Sequence, residues 1–331
     1  MISALMTVFN GEKYIRQSIE SILNQTFTDF ELIIVNDGST DDTRNIIQSY
    51  QDNRITLIEL KENRGVGAAI KEGLKHVNRD FIAKVDADDI YMKNRFQLQL
   101  DYLQEHKNVS MVDGFINYFP DNKQIEESKR FYYLKNIHEE QLNSIFKHKE
   151  ISEKIYWFPC ITHSTLMFRS AILKTVSYNE DLKIGEDYDF YYKLNKLGFV
   201  IHKLPVKLAD IRVSEASTTV REKHQMLNGM LDIKQDEFQK ALNKDIYVWG
   251  TGELGQSTVE YLKNKGWTVK GFIDNNLSIV GTKKSGVMVY SKEVINKNSF
   301  ILVASSYGKF DIVNELKQKK FEHLNDFLVI F

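Results

Sequence analysis

Three groups of acids punctuate the chain: Asp37 within Asn36-Asp37-Gly38-Ser39-Thr40-Asp41-Asp42, the run Asp86-Ala87-Asp88-Asp89, and Gly185-Glu186-Asp187-Tyr188-Asp189. Carboxylates gathered where chain ends converge repel one another unless something positive sits between them, and a hard divalent cation is the usual partner. Mg²⁺ or Mn²⁺ is therefore the implied cofactor. Taken singly, each acid also fits a helix N-cap or a turn, so the case rests on their recurrence at successive strand ends. A fourth pattern differs in kind. Ile246-Tyr247-Val248-Trp249 leads into Gly250-Thr251-Gly252-Glu253-Leu254-Gly255, and Asp274 closes the next apolar run 19 residues after Gly255. Glycines so spaced permit a tight turn and let a pyrophosphate approach a helix N-terminus, while the acid can bond a ribose hydroxyl. The same glycines can equally serve the strand-to-helix turn alone.

The elements that must position these residues follow from hydrophobic periodicity. Leu5 to Phe9 reads as a buried strand, and Ile15, Ile19, Ile22 and Leu23 fall on one face of a helix. Leu32-Ile33-Ile34-Val35 is the next strand, and helix 42–50, strand 55–60, helix 66–77 and strand 81–85 continue the alternation. Strands buried on both faces and separated by amphipathic helices imply an α/β fold with a mostly parallel sheet, whose ligands bind at the strands' carboxyl ends. Asp37 and Asp86 to Asp89 lie in such loops.

With 331 residues the chain is long enough for two domains. All three prolines and the last arginine, Arg221, precede residue 245, whereas 8 of the 17 glycines follow it. That shift places domains at 1–215 and 245–331, with a helical linker over 216–244 in which Met226, Met230 and Ile233 keep a loose helical period. Lys+Arg number 44 against 45 Asp+Glu, so no overall basic field exists to hold nucleic acid or an anionic membrane. A single cysteine, Cys160, excludes an internal disulfide and fits a reducing, cytoplasmic setting. No apolar run approaches the ~20 residues that span a bilayer, so any membrane contact is expected to be peripheral.

The ordered set Thr7-Val8-Phe9-Asn10-Gly11-Glu12, Ser18 to Gln25, Asn36 to Asp41, Asn63-Arg64-Gly65, Asp86 to Tyr91, His163 to Arg169 and Gly185 to Tyr188 resembles family 2 glycosyltransferases. It covers about residues 1 to 215 and implies the GT-A nucleotide-diphospho-sugar transferase fold. By that resemblance Thr7, Val8, Phe9, Glu12 and Asp37 bind the donor's nucleoside, with Phe9 where an aromatic ring stacks on uracil. Arg64 helps hold the nucleotide, Asp86 and Ala87 lie against it, and Asp88 binds the metal on the diphosphate. Asp187 corresponds to the catalytic base, with Glu186 beside it placing donor or acceptor. In many relatives an aromatic-Arg-x-His sequence adds a histidine near the metal; here it reads Ile211-Arg212-Val213-Ser214, so the resemblance leaves a third protein ligand open. His163 and His202 read as ordinary structural histidines.

The implied reaction is inverting transfer of a hexose or N-acetylhexosamine from a UDP-sugar to a hydroxyl of a saccharide or lipid-linked saccharide, in bacterial surface polysaccharide assembly. Residues 245–331 resemble small Rossmann-like domains beside sugar-modifying enzymes. Gly250, Gly252, Gly255 and Asp274 there form an accessory nucleotide or dinucleotide site, or the module places acceptors or self-associates. Two other readings stand beside the first: a nucleotide-sensing protein with a non-catalytic transferase domain, and an NAD(P)-dependent oxidoreductase. The second is weakened because Tyr261 and Lys265, which have a dehydrogenase spacing, lie on the first helix after the glycines.

Overall fold

The computed structural model describes residues 1–182, 184–215, 223–305 and 308–330. The chain divides into two compact units, one of Met1–Ile155 with Pro159–Arg221 and the other of Tyr156–Phe158 with Glu222–Phe331.

In the first unit, β1 (Ile2–Val8), β2 (Phe30–Asn36), β3 (Ile55–Glu59) and β4 (Phe81–Asp86) are joined through α1 (Ile15–Leu23), α2 (Thr43–Gln48) and α3 (Val66–Leu74). These four strands pair in parallel, in the order β3-β2-β1-β4. Beyond them come β5 (Ile90–Tyr91), β6 (Val109–Pro120), β7 (Met167–Arg169) and β8 (Val200–Val213), which extend the sheet as β4-β7-β6-β8-β5. Antiparallel β7 makes the sheet mixed, because it pairs against both β4 and β6. The even-numbered side chains of β1, Ile2, Ala4, Met6 and Val8, join Phe81, Ala83 and Val85 of β4 in one core with Ile15, Ile19 and Ile22 of α1. Strand alternation therefore sends Leu5, Thr7, Lys84 and Asp86 to the other face.

A buried ion pair braces the far half of this sheet. Asp113 of β6 and Lys203 of β8 meet at 3.2 Å with no side-chain exposure. The Lys203 ammonium also donates to the carbonyls of Leu142 and Cys160 at 3.1 and 2.9 Å, and Asp113 accepts from the Thr165 hydroxyl. Satisfied in this way, a buried pair is tolerable; with one partner removed it costs about 3–5 kcal/mol. The Cys160 thiol is buried and pushed up to about 12 by that burial, which leaves it unreactive.

The second unit carries β9 (Asp245–Trp249), β10 (Val269–Ile273), β11 (Lys283–Lys284), β12 (Val287–Tyr290), β13 (Ser299–Val303) and β14 (Phe327–Val329) in the order β11-β12-β10-β9-β13-β14. All but β11 run parallel, giving the doubly wound order expected of a Rossmann-like α/β domain. The segment read as a linker takes part in this core: Leu231, Phe238 and Ala241 pack with Ile246, Val248, Phe272 and Leu302. Tyr261 and Lys265, the dehydrogenase-spaced pair, both hold Asp232, at 2.6 and 2.8 Å.

Candidate active site

The loops after β1 and β2 are laced together before any ligand arrives. The Asn10 amide donates to Ser39 Oγ, Gly11 N to Thr43 Oγ1 and Glu12 N to Asp41, while Glu12 itself accepts from the Asp42 amide at 2.8 Å. Glu12 is thus an organiser of the loop pair. Asp37 has a similar job: its two oxygens accept from the Arg64 and Gly65 amides, each at 2.9 Å. Gly38 beside it adopts a left-handed φ of 69°, and a Cβ there would lie 2.5 Å from the Glu62 carbonyl carbon, so the approach of the two loops requires glycine. This lacing leaves the Phe9 ring 48% exposed and Arg64 exposed at the mouth.

The Asp86 to Tyr91 loop is pinned at both ends. The Asp86 amide donates to the Tyr91 hydroxyl at 2.5 Å, and the Asp89 carbonyl accepts from Ser18 Oγ at 2.7 Å. Arg212 of β8 wraps it: its amide donates to Asp89 Oδ1 and its Nε to the Asp88 carbonyl, both at 3.0 Å. The guanidinium lies over the rings of Tyr14 and Phe119, at 4.4 and 4.5 Å. Ser214 is buried, and its carbonyl accepts from Arg130 at 2.9 Å.

At the acids this loop presents, burial outweighs the neighbouring positive charge. Burial, and then the neighbouring Asp86, push the Asp88 carboxyl up to about 6, and Asp89 is driven well above the usual carboxylate range by burial and both neighbours. Among the described residues no group of three or more His, Cys, Asp and Glu side chains gathers as a metal cage. Mg²⁺ and Mn²⁺ held mainly by substrate phosphates and water need one or two carboxylates from the protein. A hard oxygen ligand whose burial outweighs the help of the neighbouring cation Arg212, as at Asp88, fits that requirement.

Across from β4, α4 (Glu186–Lys196) starts with three acids in its first turn, where the helix dipole favours negative charge. Glu186 is 8% exposed, and burial followed by the charge of Asp187 pushes it up to about 8. Asp187 is raised too, by burial first and then Asp86, although the Tyr188 amide donates to it at 2.6 Å and counters the shift. Both members of the pair are thus raised above their usual values, as at sites where protons are exchanged in catalysis.

Sequence reasoning missed several residues here. Lys84 is 1% exposed behind Asp86. Buried Arg95 donates to the Lys84 carbonyl at 2.7 Å and the Leu166 carbonyl at 3.2 Å, fastening β4 to the start of β7. The Tyr178 hydroxyl meets His163 Nε2 at 3.0 Å, and burial, then Lys84, hold that imidazole well below its usual pKa. One signal was available: Lys84 interrupts the apolar run Phe81 to Val85 in a strand expected to be buried on both faces. His202 lies elsewhere, bonded to the Tyr102 hydroxyl at 2.7 Å. At the glycine loop of the second unit, Asp274 Oδ2 accepts from the Thr251 hydroxyl at 2.6 Å and its amide at 3.2 Å, and Oδ1 accepts from the Asn276 amide at 2.9 Å.

Comparison with known proteins bears on the fold and the family. TarS of S. aureus (residues 1–349), solved with UDP-GlcNAc, superposes with a TM-score of 0.56 at 23% identity over 72% of this chain and 66% of that one. The mannosyltransferase PcManGT of Pyrobaculum calidifontis, solved with GDP-Man and Mn²⁺, gives 0.54 at 16% identity over 72% and 64%. At such identities these likenesses show the GT-A fold. An uncharacterized glycosyltransferase of Methanocaldococcus jannaschii is 32% identical over 197 residues, which are 58% of this chain and 64% of that protein, so the match spans just under two thirds of the relative. Chondroitin synthase of Escherichia coli is 28% identical over 74% of this chain and 32% of its own. The family model for glycosyl transferase family 2 matches residues 3–176, more than half of the 331, and the chain belongs to that family.

Proposed function

We propose that the first unit is a metal-dependent, inverting glycosyltransferase that moves a hexose or N-acetylhexosamine from a UDP-sugar to a hydroxyl of a saccharide or lipid-linked saccharide. The observation that carries the reading is the gathering of acids about Asp86, with Asp88 on its own loop and Glu186 and Asp187 from the first turn of the helix across from it, all four buried or half-buried and the last three raised by burial and by neighbouring acids. The complexes of TarS with UDP-GlcNAc and of PcManGT with GDP-Man and Mn²⁺ support a nucleotide-sugar donor and a divalent ion. Chondroitin synthase among the relatives supports polysaccharide synthesis.

In this reading the exposed Phe9 ring stacks on uracil, Thr7 and Val8 edge the base, and Arg64 closes on the nucleotide. Asp86 and Ala87 lie along the ribose, and Asp88 would hold Mg²⁺ or Mn²⁺, which supplies charge stabilisation to the departing diphosphate. Asp187 accepts the acceptor hydroxyl's proton as the oxygen attacks the anomeric carbon and the bond to the diphosphate breaks. Direct displacement by one base inverts the anomeric centre. Glu186, with its pKa near 8, keeps its proton at neutral pH and donates a hydrogen bond to a sugar hydroxyl. A panel of UDP-glucose, UDP-galactose and UDP-GlcNAc, assayed for UDP release with and without Mn²⁺, tests the reading; no metal-dependent release from any of them, with no Mn²⁺-dependent UDP binding, would contradict it.

A further inference from the structure

Lys84 has an unusual setting for a lysine. The ammonium is buried on the face of β4 that also carries Asp86, and it makes one long hydrogen bond, 3.4 Å to the Leu5 carbonyl, and one ion pair, 3.7 Å to Asp86 Oδ1. A buried ammonium with three donors normally gathers closer partners. Here the compensation is spread over the site. Burial pulls the ammonium's pKa down and Asp86 and Glu186 pull it back up; Lys84 in turn lies within electrostatic reach of Asp86, Glu186 and Asp187, and adds to the burial that holds His163 neutral. The strand register fixes it there, because Lys84 pairs with Leu5 in the centre of the parallel ladder, and Arg95 holds its carbonyl from the opposite side.

We propose that Lys84 is a positioning residue of the transfer reaction, the fixed counter-charge that keeps Asp187 ionised and Asp86 oriented while a diphosphate is bound nearby. The proposal rests on the reading of Asp187 as the base. Asp187 is faced by Asp86 and Lys84 from β4, by Glu186 from its own helix, and by the hydroxyls of Tyr178 and Tyr191. Both tyrosines are held above their usual pKa by burial and His163 is held neutral; of the two buried cations near Asp86, Arg95 acts on Asp86, and Lys84 acts on Asp86, Glu186 and Asp187 together, against the acids' mutual repulsion. Removing a positive charge raises the pKa of nearby carboxylates. An ionised base is required, so the acidic limb of the rate profile must then move to higher pH.

The test uses Lys84→Met, nearly isosteric but neutral, and Lys84→Arg, which keeps the charge. UDP release from the panel sugar that turns over fastest is followed from about pH 5 to 9 with Mn²⁺, and circular dichroism and melting temperature report folding. The expected result is an acidic limb displaced upward by about one pH unit in Lys84→Met, the size of a unit charge acting over several Å at an effective dielectric of ~20, and unmoved in Lys84→Arg. A folded Lys84→Met protein with the wild-type limb, or equal displacement in both variants, overturns the proposal. Should Lys84→Met not fold, or should no panel sugar turn over, ¹⁵N-lysine NMR of the unmodified protein decides. A Lys84 ammonium at pH 7, whose shift steps as nearby carboxylates titrate, supports the counter-charge; a neutral amine overturns it. Absence of turnover alone counts against the transfer reading, not against Lys84.

Discussion

The described residues form two largely parallel sheets, each delivering an acid to the loop at a strand's carboxyl end, and the two acids have opposite fates. In the second unit Asp274 is committed to its own loop, with both oxygens accepting hydrogen bonds from Thr251 and Asn276. In the first, half-buried Asp88 and buried Glu186 are driven upward, to about 6 and about 8, by burial and then by the acids Asp86 and Asp187, more than Arg212 and Lys84 offset. Matching sequence patterns thus describe one loop that satisfies itself and another that waits for charge. The contrast teaches that a motif locates a strand end, whereas the folded structure's uncompensated charge marks where chemistry can occur.

Four experiments would break or sharpen that contrast. The largest effect belongs to Asp88→Ala, expected to lower Mn²⁺-dependent UDP release by about 10³-fold, the several kcal/mol a bound cation contributes to a developing phosphate charge. Measured at saturating Mn²⁺, a loss under tenfold would remove Asp88 from the metal site. Phe9→Ala comes next: loss of base stacking, worth ~1–3 kcal/mol, should weaken UDP binding by about tenfold or more in a calorimetric titration.

Stability against pH gives a smaller signal. The folded state holds the Glu186 proton up to about pH 8, whereas the unfolded chain releases it near the ordinary carboxylate value. Between those values the native state binds more protons, so stability must fall as pH rises through the window. Scanning calorimetry should show a lower melting temperature at about pH 8.5 than at about pH 5, with a smaller drop in Glu186→Gln; an equal drop would mean that Glu186 is not the group responsible. The smallest effect is expected at Asp274→Asn, which should leave UDP release within twofold of wild type and, like the wild type, give no heat with NAD(H). Heat from NAD(H) in the wild type, abolished by the substitution, would give the second unit the dinucleotide site that its glycine spacing suggests.

Much of the first unit was legible in the sequence because periodicity reports burial directly. The alternation through residue 86 appears as β1 to β4 with their helices, each within a few residues of its expected bounds. The acids at strand ends were legible too, since turn residues and carboxylates coincide there. What escaped was pairing across distance. Nothing in Arg95 or Tyr178 announces that one fastens β4 and the other meets His163. Glu12 and Asp37, read by resemblance as nucleoside ligands, also order loops, a role that depends on amides 27 to 30 residues away. The linker reading failed to anticipate packing for a similar reason: its sparse apolar residues become core only against strands that follow them.

The central claim is that Asp187 takes the acceptor's proton at a site that binds the donor without it. Asp187→Asn is nearly isosteric, and the measurement is the split between its turnover and its Mn²⁺-dependent UDP affinity, both against wild type. The account predicts turnover lower by ~10²–10⁴-fold with a dissociation constant unchanged within about threefold. Wild-type turnover in that variant, or a loss of turnover matched by an equal loss of UDP binding, would contradict it.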